Sequence, residues 1–281
     1  MKIKESSTLS ANTDNLLDDI LAELNKQFTD KISTIFDTVQ ETSYEHDAVN
    51  TRITSAIKLG IKKGSIKFAK DNNIIVNDVL FVDDIKENSA KYMVQTKIIY
   101  LPSLSISDMT AEIITDLQNY VACPADIHYD ESLFTSEKML EGIQEAIKFN
   151  CMYILKKLVV SILHETVHAG QKGLDKASNY KAPTNIPDDE VMTPAMREEY
   201  AKIYKSDMRD PSEIDAWANQ YVAEFILHYG HSFKPQDMKK EIEMIVRGYS
   251  SNYDEASRKK FAKAVYKAFQ LYVEKKHAIG K

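Results

Sequence analysis

One short segment limits the fold of this chain more than any other. The stretch SILHETVHAGQKG, residues 161–173, carries His164 and His168 four positions apart, and the apolar run LVVSIL ends directly before His164. A continuous apolar run of this kind indicates a helix buried in the centre of a domain. Glycines close the segment, so the helix is expected to end between Gly170 and Gly173. The fold must therefore bury a helix that carries two imidazoles.

His164 and His168 can share one ligand if the segment is helical. Positions four apart differ by about 40° in azimuth and about 6 Å along the axis, so both imidazoles can converge on one metal ion. Glu165 is rotated by about 100° from His164, where it can accept a proton without occupying a coordination position. Two histidines on a helix can also be ordinary core residues with satisfied hydrogen bonds. A third ligand would separate these interpretations, because a catalytic zinc site takes three protein groups and leaves one position for water.

The third ligand has to come from another part of the chain. A histidine six residues after His168 is absent, because position 174 is leucine. The segment PSEIDAWANQY places Glu213 near the start of a predicted helix, with the small Ala216 three residues later. A small side chain at that position would let the two helices approach closely. Glu213 is therefore the predicted third ligand.

Glu213 also has a purely structural explanation. Asp210, Pro211 and Glu213 fit the N-cap, N1 and N3 positions of a capping box, in which the glutamate bonds a backbone amide. One oxygen cannot fill both roles, and Asp210 alone can begin the helix, so the ligand role is favoured. Asp215 is the weaker substitute ligand, because it lies about 200° around the helix from Glu213.

The rest of the chain is expected to form a mainly helical α+β fold with a small sheet. Helical spacing predicts helices over residues 13–40, 48–69, 136–150, 152–173, 193–205, 211–230, 235–248 and 254–276. Strands are expected to begin within residues 72–85, with the clearest strand over 91–104 and another over 125–134. We expect residues 1–70 to form a helical N-terminal region and residues 71–281 to form the main domain.

Composition limits the partners that this chain can have. Its 42 acidic and 36 basic residues give a net charge of -6 with no long basic block, so nucleic acid is not an expected partner. Cys123 and Cys151 form no Cys-x-x-Cys pair and are expected to be buried thiols in a reducing compartment. No segment approaches 18 apolar residues, and no apolar run follows the N-terminal lysines. We expect a soluble, cytoplasmic protein without a membrane partner.

The two motifs together resemble a known family. HETVHAGQ followed by EIDAWA is similar to the gluzincin type of zinc metallopeptidase, in which a His-Glu-x-x-His helix and a glutamate on a later helix hold zinc. The match covers about twenty residues. The layout is loosely similar to small metallopeptidase domains of bacteriophages and bacteria. The resemblance implies a zincin-like fold, Zn²⁺ held by His164, His168 and Glu213, and the activity of a zinc metalloendopeptidase on peptide or protein substrates.

The same resemblance implies further roles. Glu165 would deprotonate a zinc-bound water, which attacks the peptide carbonyl, and a strand before the active helix would bind substrate by edge pairing. The candidates for that strand are KIIYLPSL, residues 97–104, and DIHYDESLF, residues 126–134. Tyr204 is the first choice for a donor to the oxyanion. Trp217 stands where larger members have an aspartate that orients a histidine.

Two other functions fit the same residues. A non-catalytic, zinc-stabilised structural or interaction protein, for example a phage particle component, would retain the fold and would be virion-associated. Metal binding alone does not require Glu165, which argues against that alternative. An intracellular regulator that cleaves a single partner would use the same chemistry without acting on general substrates. The sequence gives no indication of the oligomeric state.

Overall fold

The chain is mainly helical, with one small sheet. The computed structural model describes residues 9–42, 47–83, 90–121, 135–171, 211–229, 238–250 and 255–279. The helices in these ranges are α1 (Thr13–Glu41), α2 (Asp47–Asp71), α3 (Leu104–Val121), α4 (Ser136–Phe149), α5 (Met152–Gly170), α6 (Pro211–Tyr229), α7 (Met238–Ser250) and α8 (Glu255–Ile279). The strands are β1 (Asp78–Val82), β2 (Lys91–Met93) and β3 (Ile98–Pro102). This confirms the predicted mainly helical α+β class. The strand predicted over 125–134 and the helix predicted over 193–205 lie outside the described residues.

Contacts divide the chain into two compact units. The first unit comprises Met1–Thr13, Val94–Thr96 and Leu163–Lys281. The second unit comprises Asp14–Met93 and Lys97–Ile162. The boundary predicted between residues 70 and 71 falls inside the second unit, and the separate domain role of residues 1–70 stays a prediction.

Helices α1 and α2 of the second unit pack very closely. Ile20 and Leu24, two apolar residues of α1 at helical spacing, are buried at 0% exposure. A Cβ added at Gly60 would lie 2.7 Å from a side-chain carbon of Leu24, and one at Gly64 would lie 2.6 Å from the Cα of Ile20. Glycine at these two positions is therefore what allows the two helix backbones to approach.

The sheet has the strand order β1-β3-β2, with β3 in the centre. Strand β3 pairs with β1 in parallel and with β2 antiparallel. The single strand predicted over 91–104 is wrong, because residues 94–97 form a turn between two strands. In this turn Lys97 has φ 58° and its amide donates to the carbonyl of Met93 at 2.7 Å. The expectation that residues 97–104 bind substrate by edge pairing is also wrong, since both edges of β3 are already paired.

Helix α3 was not among the predicted helices. It begins directly after β3, where the carbonyl of Ser103 accepts hydrogen bonds from the amides of Ile106 and Ser107 at 3.0 and 3.1 Å. Its buried side chains include Met109 and Ile113, both at 0% exposure. Helix α3 packs on α2 and α4 within the second unit.

The helices of the first unit surround an apolar core. That core consists of Ala11, Ile214, Ala218, Tyr221, Val222, Ile226, Ile242, Phe261, Val265, Ala268, Phe269 and Tyr272. A short 3-10 turn, Ser10–Asn12, joins the core from the start of the chain. Lys275 holds this turn, because its Nζ donates to the carbonyl of Ala11 at 3.2 Å and to Oδ1 of Asn12 at 2.9 Å. Helices α6 to α8 confirm the three helices predicted after residue 210, over the residues that are described. None of the described helices is both long and apolar enough to cross a bilayer.

Candidate metal centre

Helix α5 carries the predicted histidines at its C-terminal end. The apolar run that precedes them is buried, as the sequence indicates, and Leu163 and Val167 are fully inaccessible to solvent. His164, Glu165 and His168 are polar yet only 8%, 7% and 9% exposed. Burial of three ionisable side chains within five residues is costly unless each has a compensating partner. The arrangement of these partners defines the site.

Glu213 approaches the two histidines from the first turn of α6. Its Oε2 lies 3.7 Å from Nε2 of His164, and its Oε1 lies 3.4 Å from Nε2 of His168. The two Nε2 atoms are 3.1 Å apart. The structure therefore brings the three predicted ligands together, with both carboxylate oxygens facing the imidazoles. Asp210, the other member of the capping box, lies outside the described residues, so the choice between the ligand and capping roles of Glu213 stays a prediction.

The spacing of these atoms is compatible with a bound metal ion. Zinc binds histidine nitrogen and carboxylate oxygen at about 2.0 to 2.2 Å, so two ligands of a tetrahedral ion are separated by about 3.3 to 3.6 Å. The Nε2 atoms are 3.1 Å apart, and their distances of 3.4 and 3.7 Å to Glu213 end on different carboxylate oxygens, so all three values are close to that interval. His164, His168 and Glu213 could therefore hold a metal ion.

The electrostatics of the cluster favour a positive charge at this point. Burial acts to lower the pKa of His168, but the hydrogen bond to Glu213 and the negative charges of Glu165 and Glu213 outweigh it and raise that pKa to about 9. Burial acts to raise the pKa of Glu213, but hydrogen bonds from His164 and His168 outweigh it and hold the pKa below the usual range. A proton can supply the positive charge, and so can a metal cation.

No family model, no curated protein and no solved structure matches this chain. The resemblance to gluzincins therefore depends on the two sequence motifs and on the geometry around His164, His168 and Glu213.

The two imidazoles have different neighbours on their other sides. Nδ1 of His168 lies 3.1 Å from Oε1 of Gln171, the residue that follows α5. The ring of His164 meets the edge of Trp217 at a centroid distance of 5.0 Å. Nδ1 of His164 is buried and has no hydrogen-bond partner in the part of the chain that the structure describes. Trp217 in turn stacks on Tyr221 of the apolar core, with centroids 5.8 Å apart.

The sequence pattern did not indicate the contact of Gln171 with His168, and it accounted for the position of Trp217 only in part. A glutamine three residues after His168, at the end of the helix, is the signal that could have identified the first. The indole of Trp217 packs against the apolar core, and it also contacts the ring of His164.

Other predicted site residues do not join this cluster or lie outside the described residues. Asp215, the weaker substitute ligand, does not belong to the group of candidate ligands that the described residues bring together. Tyr204, the predicted oxyanion donor, and Asp210, the predicted N-cap of α6, lie outside the described residues. Their roles stay predictions.

Proposed function

We propose that this chain is a zinc metalloendopeptidase of the gluzincin type with a zincin-like fold. One observation carries the proposal. Three side chains that could hold one metal ion, His164, His168 and Glu213, lie beside Glu165, a buried carboxylate on the same helix that is not one of the proposed ligands. A purely metal-binding cluster has no need for that fourth ionisable group.

The roles of the residues follow from their positions. His164, His168 and Glu213 hold Zn²⁺, and three protein ligands leave a fourth position open. A zinc ion held by these residues would supply Lewis-acid chemistry for the attack of water on a peptide carbonyl. Glu165 accepts the proton of the attacking water and transfers it to the departing amine. Burial of Glu165 and His164 keeps solvent away from one side of the reaction.

A non-catalytic, zinc-stabilised structural or interaction protein is the second candidate. It is supported by the contact of His164 with Trp217, which stacks on Tyr221, which in turn meets Phe261 edge-on at 5.9 Å. Through these rings a bound ion would be coupled to the apolar core, as in a structural metal site. This candidate assigns no task to Glu165.

The substitution Glu165→Gln separates the two candidates. It is nearly isosteric and removes the base while leaving the three ligands, so zinc content and melting temperature should be retained. Peptide hydrolysis should fall by about 100- to 10,000-fold, the usual contribution of a general base. Cleavage is measured by mass spectrometry on a diverse peptide library and on peptides from the chain's own N-terminal helices. Zinc is measured by elemental analysis.

The exposed Glu274 on α8 provides a matched control, since Glu274→Gln makes the same chemical change far along the chain from the cluster. It should cleave like the wild type. If the wild type and Glu165→Gln bind zinc equally and neither cuts any peptide, the structural candidate replaces the peptidase. If only the wild type and the control cut, and a chelator stops both, the peptidase proposal stands.

A further inference from the structure

We infer that Gln171 is a positioning residue that fixes the imidazole of His168 in the tautomer able to bind metal. The inference rests on the metal site proposed above and adds to it a specific determinant of affinity. Gln171 is not one of the three proposed ligands, and it comes directly after the last residue of α5.

Gln171 contacts His168 at two points. Its backbone amide donates to the carbonyl of His168 at 3.1 Å and so closes the end of the helix. Its side-chain Oε1 lies 3.1 Å from Nδ1 of the same histidine. The backbone contact restricts the position of the Cα of Gln171, and the side-chain contact places Oε1 of Gln171 beside the ring of His168. The histidine is therefore held by a residue whose own backbone is anchored to it.

The identity of the contacting atom determines which tautomer is stabilised. A neutral imidazole carries one N–H, and an oxygen that only accepts hydrogen bonds requires that N–H to be on Nδ1. The lone pair is then on Nε2, the atom that lies 3.1 Å from His164 Nε2 and 3.4 Å from Glu213 Oε1. The opposite tautomer would place a hydrogen on Nε2, where the metal has to bind.

Of the two histidines, His168 is the one whose Nδ1 contacts an acceptor oxygen among the described residues. Nδ1 of His164 has no such acceptor among the described residues, and its ring is instead contacted by Trp217. Removal of the acceptor at Gln171 should therefore affect one ligand only. Hydrogen bonds of this kind to metal-binding histidines typically contribute 10- to 100-fold to metal affinity.

The test compares zinc dissociation constants of Gln171→Met and Gln171→Glu with that of the wild type, by competition with a chromogenic chelator. Methionine has similar length and no oxygen, and it keeps the backbone amide that closes the helix. It should weaken zinc binding by about 10- to 100-fold. Glutamate keeps an acceptor at the same place and should bind zinc at least as tightly as the wild type. Gln270→Met, at an exposed position of α8, is the matched control and should leave the affinity unchanged.

A merely structural role for Gln171 would give a different pattern. It would lower the melting temperature of Gln171→Met and leave its zinc affinity equal to that of the wild type, and that result overturns the inference. Equal weakening by methionine and glutamate overturns it as well, because glutamate restores the acceptor. The readout is zinc affinity, so an absence of peptide cleavage would remove the peptidase proposal without changing this ranking.

Discussion

At the scale of single residues, the cluster of His164, His168 and Glu213 favours a positive charge beside its imidazoles. Glu165 and Glu213 both place negative charge near His168, and they overcome the effect of burial on its pKa. Without an ion, the cluster retains a proton on His168 at neutral pH. A metal ion that binds here has to displace this proton, because only a neutral imidazole can be a ligand.

We therefore predict that zinc binding at pH 7 releases about one proton from the chain. The metal-free pKa of His168 is raised to about 9, so this histidine is protonated at pH 7 and neutral when zinc is bound. The contribution of His168 to this proton release should decline toward zero as the pH rises through about 9, because the imidazole is then already neutral. Isothermal titration calorimetry in buffers with different ionisation enthalpies measures the number of protons.

His228 provides the control for this measurement. It is an exposed histidine near the end of α6, and His228→Ala should leave the proton release unchanged. A release of no protons at pH 7 in the wild type would show that His168 is neutral before the metal arrives.

The candidate ligands could be named from the sequence because helix geometry is regular. A spacing of four residues brings His164 and His168 to one face of any α-helix, and the start of a later predicted helix supplied Glu213. The contacts of Gln171 and Trp217 depend on the end of one helix and the face of another. Neither can be deduced from spacing along a single helix.

At the scale of secondary structure elements, the close pairing of α1 and α2 depends on glycines, which carry no side chain, at the contact. We predict that Gly64→Ala lowers the free energy of unfolding by about 1 to 3 kcal/mol, the usual effect of overpacking a well-packed interface. The new Cβ would lie 2.6 Å from the Cα of Ile20 and 2.8 Å from its amide nitrogen, and backbone atoms cannot move aside as a flexible side chain can. Urea unfolding followed by circular dichroism measures the change.

Gly248 in α7 provides a matched control. A Cβ at Gly248 meets nothing within 4 Å. Gly248→Ala should therefore raise stability by about 0.5 to 1 kcal/mol, because alanine loses less backbone entropy in a helix. If both alanine variants shift stability in the same direction, the close approach at Gly64 is not what limits the substitution.

The elements that sequence analysis predicted incorrectly share a physical cause. The turn at residues 94–97 contains no glycine, proline or asparagine, and Lys97 adopts a positive φ that its residue type does not indicate. The hairpin was therefore predicted as one long strand. The signal for α3 was present, since Ile106, Met109 and Ile113 recur at helical spacing. The long strand extended to residue 104 and obscured where this helix begins.

At the scale of the whole molecule, an ion bound by His164, His168 and Glu213 should stabilise the folded chain. We predict about one zinc per chain, and stabilisation of about 2.7 kcal/mol at a free zinc concentration 100 times the dissociation constant. The melting temperature, measured by scanning calorimetry, should rise by several degrees with zinc and fall when a chelator is added. The described residues contain a single group of ligands able to hold such an ion, His164, His168 and Glu213.

Two substitutions at the start of α6 test the ligand set within the same experiment. Glu213→Gln should remove most of the zinc-dependent rise, since it weakens one of three ligands. Asp210→Ala should cost about 1 kcal/mol for a lost N-cap and leave the rise intact. The reverse ranking would assign Glu213 to the helix cap and direct the search for a ligand to Asp215.

The contact between Lys275 and the turn at Ser10–Asn12 has a consequence for how this protein is made. The carbonyl of Ala11 and the ammonium of Lys275 are separated by 264 positions along the chain. A ribosome adds about 5 to 20 residues per second, so Ala11 leaves the exit tunnel tens of seconds before its partner on α8 is synthesised. During that interval Ala11 lacks the part of the apolar core that α8 supplies, and the nascent chain would have to shield it by other means. The first unit can therefore be completed only after α8 has been synthesised.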